Sequence, residues 1–181
     1  MSEYTSRAEK NSPKKSSNAL SWILCIAIAV GIALGVRAFI AEPVKVDGDS
    51  MNPTLYSHPS ILVEIVSRYF GLPERGDIII VHYPGSSANY VKRCIGLPGD
   101  TVEIQNSTVY INGAPLSEDY TSDAPYADMS AVTVPEGNVF VMGDNRANSM
   151  DSRMVGTLTQ DMIVGHAVCV IWPLNQFHTI S

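Results

Sequence analysis

Asn89-Tyr-Val-Lys-Arg-Cys-Ile-Gly-Leu-Pro-Gly-Asp-Thr-Val-Glu-Ile-Gln-Asn-Ser-Thr-Val-Tyr-Ile111 carries the pattern that sets the class of fold. It opens on a run that includes β-branched and aromatic side chains, and Pro98-Gly99 then interrupts it. Val102-Glu-Ile104 and Thr108-Val-Tyr-Ile111 stand on either side of Gln105-Asn-Ser107, the pattern of a hairpin. Outward from this segment, short β-rich runs keep alternating with turn residues. Strands are predicted over 61–66, 77–82, 88–95, 101–104, 108–111, 132–134, 139–142 and 163–172. Gly71-Leu-Pro73, Pro84-Gly85, Asn112-Gly113 and Pro135-Glu-Gly137 punctuate them. After Glu42 no ten-residue stretch keeps a clean 3.6 period, apart from a trace over 157–162. The expected fold is mainly β: an antiparallel folded sheet, sandwich or barrel-like.

The 181 residues leave room for one domain of about 100–150 residues plus appendages. With 45% hydrophobic and 17% charged residues and a mean hydropathy of +0.08, the chain is too apolar for disorder. Three cysteines exclude a disulfide-dense scaffold. A net charge of −6 argues against nucleic acid as a partner, since phosphate binding needs concentrated Lys and Arg.

The charge is unevenly placed, +2 over residues 1–18 and −8 over the remainder. Between them lie 17 uncharged residues, 20–36, or about 26 Å of helix. Extension to Ala41 gives about 33 Å, with the Arg37 stem free to snorkel, against a hydrocarbon core of about 30 Å. A cleavable signal peptide would have a shorter apolar run and a small-x-small exit, whereas Phe39-Ile-Ala41 places a large Phe there. A buried core helix would need a larger domain to cover a surface that is apolar all round. The expected organisation is a basic cytoplasmic tail over 1–18, a transmembrane helix over 19–37 and an extracytoplasmic β-rich domain over 38–181. The positive-inside rule sets this orientation in the cell membrane, single-pass, with a lipid bilayer as one partner. The tail, without periodicity, is expected to be disordered.

Outside the tail the only lysines are Lys45 and Lys92. Lys45, in Pro43-Val-Lys-Val46, reads as solvated or lipid-facing. Lys92 lies mid-strand among Tyr90, Val91 and Cys94. Gly48-Asp-Ser-Met51 taken alone is a turn, in which Ser50 would more often be a cap than a nucleophile. There is no Gly-x-Ser-x-Gly elbow, and none of His58, His82, His166 and His178 has the setting of a triad histidine. Phe140-Val-Met-Gly-Asp-Asn-Arg-Ala-Asn-Ser-Met-Asp-Ser-Arg153 follows an apolar strand with a concentration of charged and small polar side chains. Its Asp144, Asn145, Asn148 and Asp151 could be read as metal ligands. The EF-hand spacing is absent and two arginines intervene, so a buried polar network is the more natural reading.

Gly48-Asp-Ser-Met-Asn-Pro-Thr-Leu55, Arg75-Gly-Asp-Ile-Ile-Ile-Val81, Val91-Lys-Arg-Cys-Ile-Gly-Leu-Pro-Gly-Asp100 and Gly143-Asp-Asn-Arg-Ala-Asn-Ser-Met-Asp-Ser-Arg153 resemble, in order, the signature boxes of bacterial type I signal peptidases. With the apolar segment the resemblance covers residues 20–153, in the compact single-span form common in Gram-positive bacteria. It implies that Ser50 is a nucleophile and Lys92 its general base, with no histidine, metal or cofactor. Ser149 would hydrogen-bond the Lys92 amine, Asp151 and Arg153 would form a supporting ion pair, and Asp144 and Arg146 would be further structural members. Met51, Leu55, Tyr90 and Val91 would line the substrate groove. Ala147 stands where an Asp is common. Gly48 stands where some relatives carry a Ser that helps form the oxyanion hole, which leaves the Ser50 N–H as the expected donor. The implied substrates are exported preproteins with small residues at −1 and −3 from the cut, and the expected oligomeric state is a monomer.

The alternatives are another Ser/Lys protease, such as a self-cleaving repressor, and a catalytically silent preprotein-binding membrane protein. The first would carry a DNA-binding module where the apolar segment stands, and the second would lack Ser50 or Lys92. Arg75-Gly-Asp77 reads as a turn, and Asn106-Ser-Thr108 as a hairpin turn that is also a glycosylation sequon. Small buried thiols are the default for Cys94 and Cys169, although a bridge between them is conceivable.

Overall fold

The computed structural model describes residues 17–39, 41–46, 48–56, 59–86, 88–122 and 124–180, so the tail up to residue 16 and His58 lie outside the described residues. Two compact units are present, Met1–Val36 and Arg37–Ser181. Helix α1 runs over Ser17–Phe39, 23 residues, with side chains described over 20–35. Among the described residues no helix is long and apolar enough to cross a membrane. The described face of α1 nonetheless exposes Leu20, Trp22, Ile23 and Leu24 at 60–71%.

The second unit is built of antiparallel strands: β1 (Ala41–Lys45), β2 (Ser60–Glu64), β3 (Ile78–Val81), β4 (Tyr90–Gly96), β5 (Thr101–Gln105), β6 (Thr108–Ile111), β7 (Ala114–Pro115), β8 (Met129–Thr133), β9 (Asn138–Met142), β10 (Leu158–Thr159), β11 (Ile163–Trp172) and β12 (His178–Thr179). One sheet has the order β1-β2-β11-β3-β4-β9-β10, with β12 paired to β11, and a smaller one the order β7-β6-β5-β8. The single helical turn α2 covers Ser152–Val155. The chain is thus mainly β and antiparallel, as the punctuation predicts.

Local chemistry accounts for the pairing. Asn106 and Ser107 both take positive φ, 49° and 61°, giving the two-residue turn whose twist suits a hairpin, and β5 pairs with β6 from Val102↔Ile111 to Gln105↔Thr108. The unbroken apolar run of β3 reflects burial on both faces: Ile78 and Ile80 pack with Ile61, Val63 and Val91, while Ile79 and Val81 pack with Cys94, Val139 and Val141. Likewise Phe140 and Met142 of β9 turn to a third cluster with Ile95, Val102 and Ile104. Lys92 therefore sits at the middle of a two-sided core, opposite Ile79 of β3.

Three sequence expectations change. Ala41–Lys45, where no strand is predicted, is an edge strand paired with β2, and an edge is where Pro43 is tolerated. The strand placed at 132–134 begins at Met129, because a register shift against β5 lengthens its pairing. The helical trace at 157–162 resolves into β10 and a 3-10 turn at Gln160–Met162. Cys94 and Cys169 are buried free thiols, and burial pushes the Cys94 thiol up to about 12.

Candidate active site

Gly48 opens the Ser50 turn with φ +97°, a left-handed conformation that side chains disfavour. Met51 and Leu55, 1% and 2% exposed, anchor the far side of the turn in the cluster that holds Val91. The near side is held by the loop after β9. Asn145 N–H donates to the Ser50 carbonyl at 3.0 Å, and Asn145 Nδ2 donates to the Asp49 carbonyl at 3.0 Å. Gly143 is a glycine because a Cβ there would collide with the Ser50 carbonyl oxygen and Ser149 Oγ. Ser50 is thus fixed between an apolar cluster and a hydrogen-bonded loop.

Lys92 reaches this serine from β4. Its side chain is 1% exposed, and Nζ donates to Ser50 Oγ at 2.6 Å. Burial lowers the ammonium to about 8; Asp151 and Asp144 oppose the shift, and Arg153 assists it. At pH 7 an amine with that value is neutral in about one molecule in eleven, against about one in three thousand for an ordinary lysine.

Buried ion pairs surround the two residues. Arg93, the strand neighbour of Lys92, holds Asp144 through Nε at 3.0 Å and Nη2 at 2.9 Å. Thr54 Oγ1 donates to the same carboxylate at 2.5 Å. Asp151 accepts from Arg153 Nη2 at 2.8 Å and from Gly143 N–H at 3.0 Å, and its carboxylate also caps α2. Arg146 is 2% exposed and pairs with Glu118, which holds its guanidinium above the usual range although burial works against the charge. Glu118 lies in the connection between β7 and β8, as does Tyr120, whose ring lies 3.9 Å from the Arg93 guanidinium carbon.

The hydrogen bond expected from Ser149 to the Lys92 amine is not made. Ser149 Oγ is buried without a hydrogen-bond partner among the described residues, packed against Gly143, and the Lys92 amine turns to Ser50. Of the expected groove residues, Met51, Leu55 and Val91 share one buried cluster. Tyr90 packs with the second cluster instead and stacks on Tyr83 at 4.4 Å. Ser149, Arg146 and Arg153 also border an open pocket of about 350 Å³ that Tyr126 and Met129 help to line.

The profile of the family described as signal peptidase, peptidase S26, matches residues 19–172. The chain belongs to the peptidase S26 family. Signal peptidase I T of Bacillus subtilis is 42% identical over 185 aligned positions, covering 96% of each chain. Signal peptidase I S of the same organism is 43% identical, covering 94% of this chain and 97% of that one. A probable signal peptidase I-1 of Synechocystis is 43% identical over 84% of this chain and 82% of its own. A signal peptidase I of known crystal structure from Enterococcus faecalis is 41% identical, with a TM-score of 0.47 over 53% of this chain and 97% of that one.

Three members of this S26 site escape the sequence reading, Thr54, Arg93 and Glu118, while Asn145, weighed there beside Asp144 in a polar network, binds the Ser50 turn. Arg93 leaves a signal, a second charge inside an apolar strand, which demands a buried counter-charge. Glu118 leaves none, because its partner lies 28 residues away, beyond strands β8 and β9.

Proposed function

We propose that this chain is a membrane-bound serine endopeptidase that removes signal peptides from exported preproteins, with Ser50 as nucleophile and Lys92 as general base. The observation that carries the reading is a fully buried lysine amine 2.6 Å from a serine hydroxyl. In the neutral state the amine accepts the Ser50 proton while Oγ attacks the scissile carbonyl carbon. The resulting ammonium returns the proton to the leaving amine as the C–N bond breaks, leaving an acyl-Ser50. Lys92 then takes a proton from water, which attacks the ester carbonyl carbon, and returns it to Ser50 Oγ as the acyl C–O bond breaks and the carboxylic acid leaves. Asp151–Arg153 and Asp144–Arg93 keep four charges near the amine paired, so that burial dominates its protonation. The Ser50 N–H serves the oxyanion, since Gly48 has no side-chain donor to add.

Helix α1 crosses the bilayer in this reading, with the basic tail in the cytoplasm and residues 38–181 outside. What supports this reading is the uncharged run over residues 20–36 on a helix of 23 residues. In this reading small residues at −1 and −3 of the substrate are selected by steric exclusion, since a larger side chain would clash with the wall of the site.

Purified full-length protein incubated with a signal-peptide-bearing preprotein should yield one new N-terminus, identified by sequencing. Lys92→Ala should abolish this product while thermal unfolding remains cooperative. Normal cleavage by a folded Lys92→Ala protein would refute the assignment.

A further inference from the structure

A second group of reactive side chains shares no residue with the Ser50 site. Ser67 opens a 3-10 turn after β2, His166 lies in β11 opposite Glu64 of β2, and Asp77 directly precedes β3. Ser67 Oγ is 2.5 Å from His166 Nδ1, and His166 Nε2 is 3.3 Å from Asp77 Oδ2. The Ser67 hydroxyl lies against both His166 Nδ1 and the Glu64 carboxylate, and in the tautomer protonated at Nε2 the Nδ1 lone pair is free to take the serine proton. The three are rigidly supplied. Glu74 N–H donates to Asp77 Oδ2 at 2.8 Å, and Glu64 accepts the Ser67 N–H at 2.9 Å, which fixes the turn. Gly165, which has no Cβ to strike the Glu64 carbonyl, lets β11 lie close on β2. The three groups border an open surface cleft of about 410 Å³, beside Leu72, Pro73 and the largely exposed Phe70.

We propose that Ser67, His166 and Asp77 form a second nucleophilic centre, independent of Ser50 and Lys92, that is acylated by small esters with a short apolar acyl group. A hydroxyl hydrogen-bonded to a base, with a carboxylate 3.3 Å from the base's other nitrogen, defines such a centre by geometry and role, whatever the chain order. Ser67 Oγ attacks the ester carbonyl carbon and His166 Nδ1 takes its proton. The ester C–O bond breaks, and the departing alkoxide leaves as the alcohol with the proton from His166. Water then attacks the acyl-Ser67 with the same imidazole accepting and returning the proton, releasing a carboxylic acid. The Ser67 N–H is committed to Glu64 and is unavailable to an oxyanion, and loss of one such donor costs about 10²–10³ in rate. Trapping, rather than turnover, is therefore the suitable readout.

Full-length Ser50→Ala protein in detergent micelles is treated with a short-chain alkyl fluorophosphonate, in which the serine oxygen displaces fluoride from phosphorus. Intact mass and peptide mapping should find one phosphonate, on Ser67, and its rate of formation should fall at least tenfold in His166→Gln and several-fold in Asp77→Asn. With Ser50 restored, both variants should cleave a preprotein within about twofold of the parent, which separates loss of this centre from misfolding. Asp77→Asn, the milder change, decides alone should His166→Gln fail to fold. No adduct at Ser67, or an adduct formed at the parent rate in the folded variants, would overturn the proposal.

Discussion

Lys92 is a cationic residue type held at 1% exposure, and its surroundings set what that burial does. Its amine falls to about 8, so under the proposed function kcat/KM should rise about tenfold per pH unit below 8 and level off above it. A profile still rising in the same way at pH 10 would mean that another group limits the reaction. The same shift bears on stability. Between pH 8 and 10.5 the unfolded lysine binds more protons than the folded one, so parent stability climbs with pH in that window. Below pH 8 the folded protein carries the full penalty of about 3 kcal/mol, and above 10.5 none of it. Lys92→Met, which keeps the volume and loses the charge, should therefore gain most over the parent at pH 7. Urea titrations should show that advantage shrinking by about 3 kcal/mol on the way to pH 10.5. Gly143 makes a second case at this scale. A methyl group there would displace the Ser50 carbonyl and Ser149 Oγ, so Gly143→Ala should lower cleavage about a hundredfold in a protein that still folds. Unchanged cleavage would show that the Ser50 turn yields without consequence.

At the scale of elements, the site is a loop clamped from three sides. The chain after β9 binds the Ser50 turn through Asn145, strand β4 through Asp144 and Arg93, and the β7–β8 connection through Arg146 and Glu118. Among its described residues that connection has no helix or strand, yet it supplies the counter-charge of an arginine 2% exposed. Glu118→Ala leaves the guanidinium buried and unpaired, and denaturant unfolding should report a loss of about 3–5 kcal/mol. Glu103→Ala removes only an exposed contact with Gln105 and should change stability by less than about 1 kcal/mol. Equal effects for the two would mean that the Arg146 pair opens to water.

At the scale of the whole molecule, the chain divides into Met1–Val36 and Arg37–Ser181, and the described surface of α1 is apolar on every side. Under the proposed topology, full-length protein should float with lipid vesicles in a density gradient. Residues 37–181 alone should remain at the bottom and still unfold in one cooperative transition. Flotation of the shorter chain to the same extent would move the membrane anchor into the β unit.

Class of fold, the hairpin and the two-sided burial of β3 are legible in the order of residues, because each depends on neighbours within a turn or on a period of two. The signature boxes name Ser50 and Lys92 for the same reason, each being marked by its own short stretch. What no local pattern states is which distant side chains meet. Asp144 and Arg146 are conspicuous in the sequence, but that one takes Arg93 and the other Glu118 follows only from strand order and register. Ser149 failing to reach Lys92, and the Ser67–His166–Asp77 alignment, are of this kind too. Periodicity and turn chemistry act over a few residues, so the chain alone determined its elements and its reactive residue types. Hydrogen bonds and desolvation act over a few ångströms in space, so partners, protonation and the empty contacts of Ser149 were decided only once the sheets had brought remote segments together.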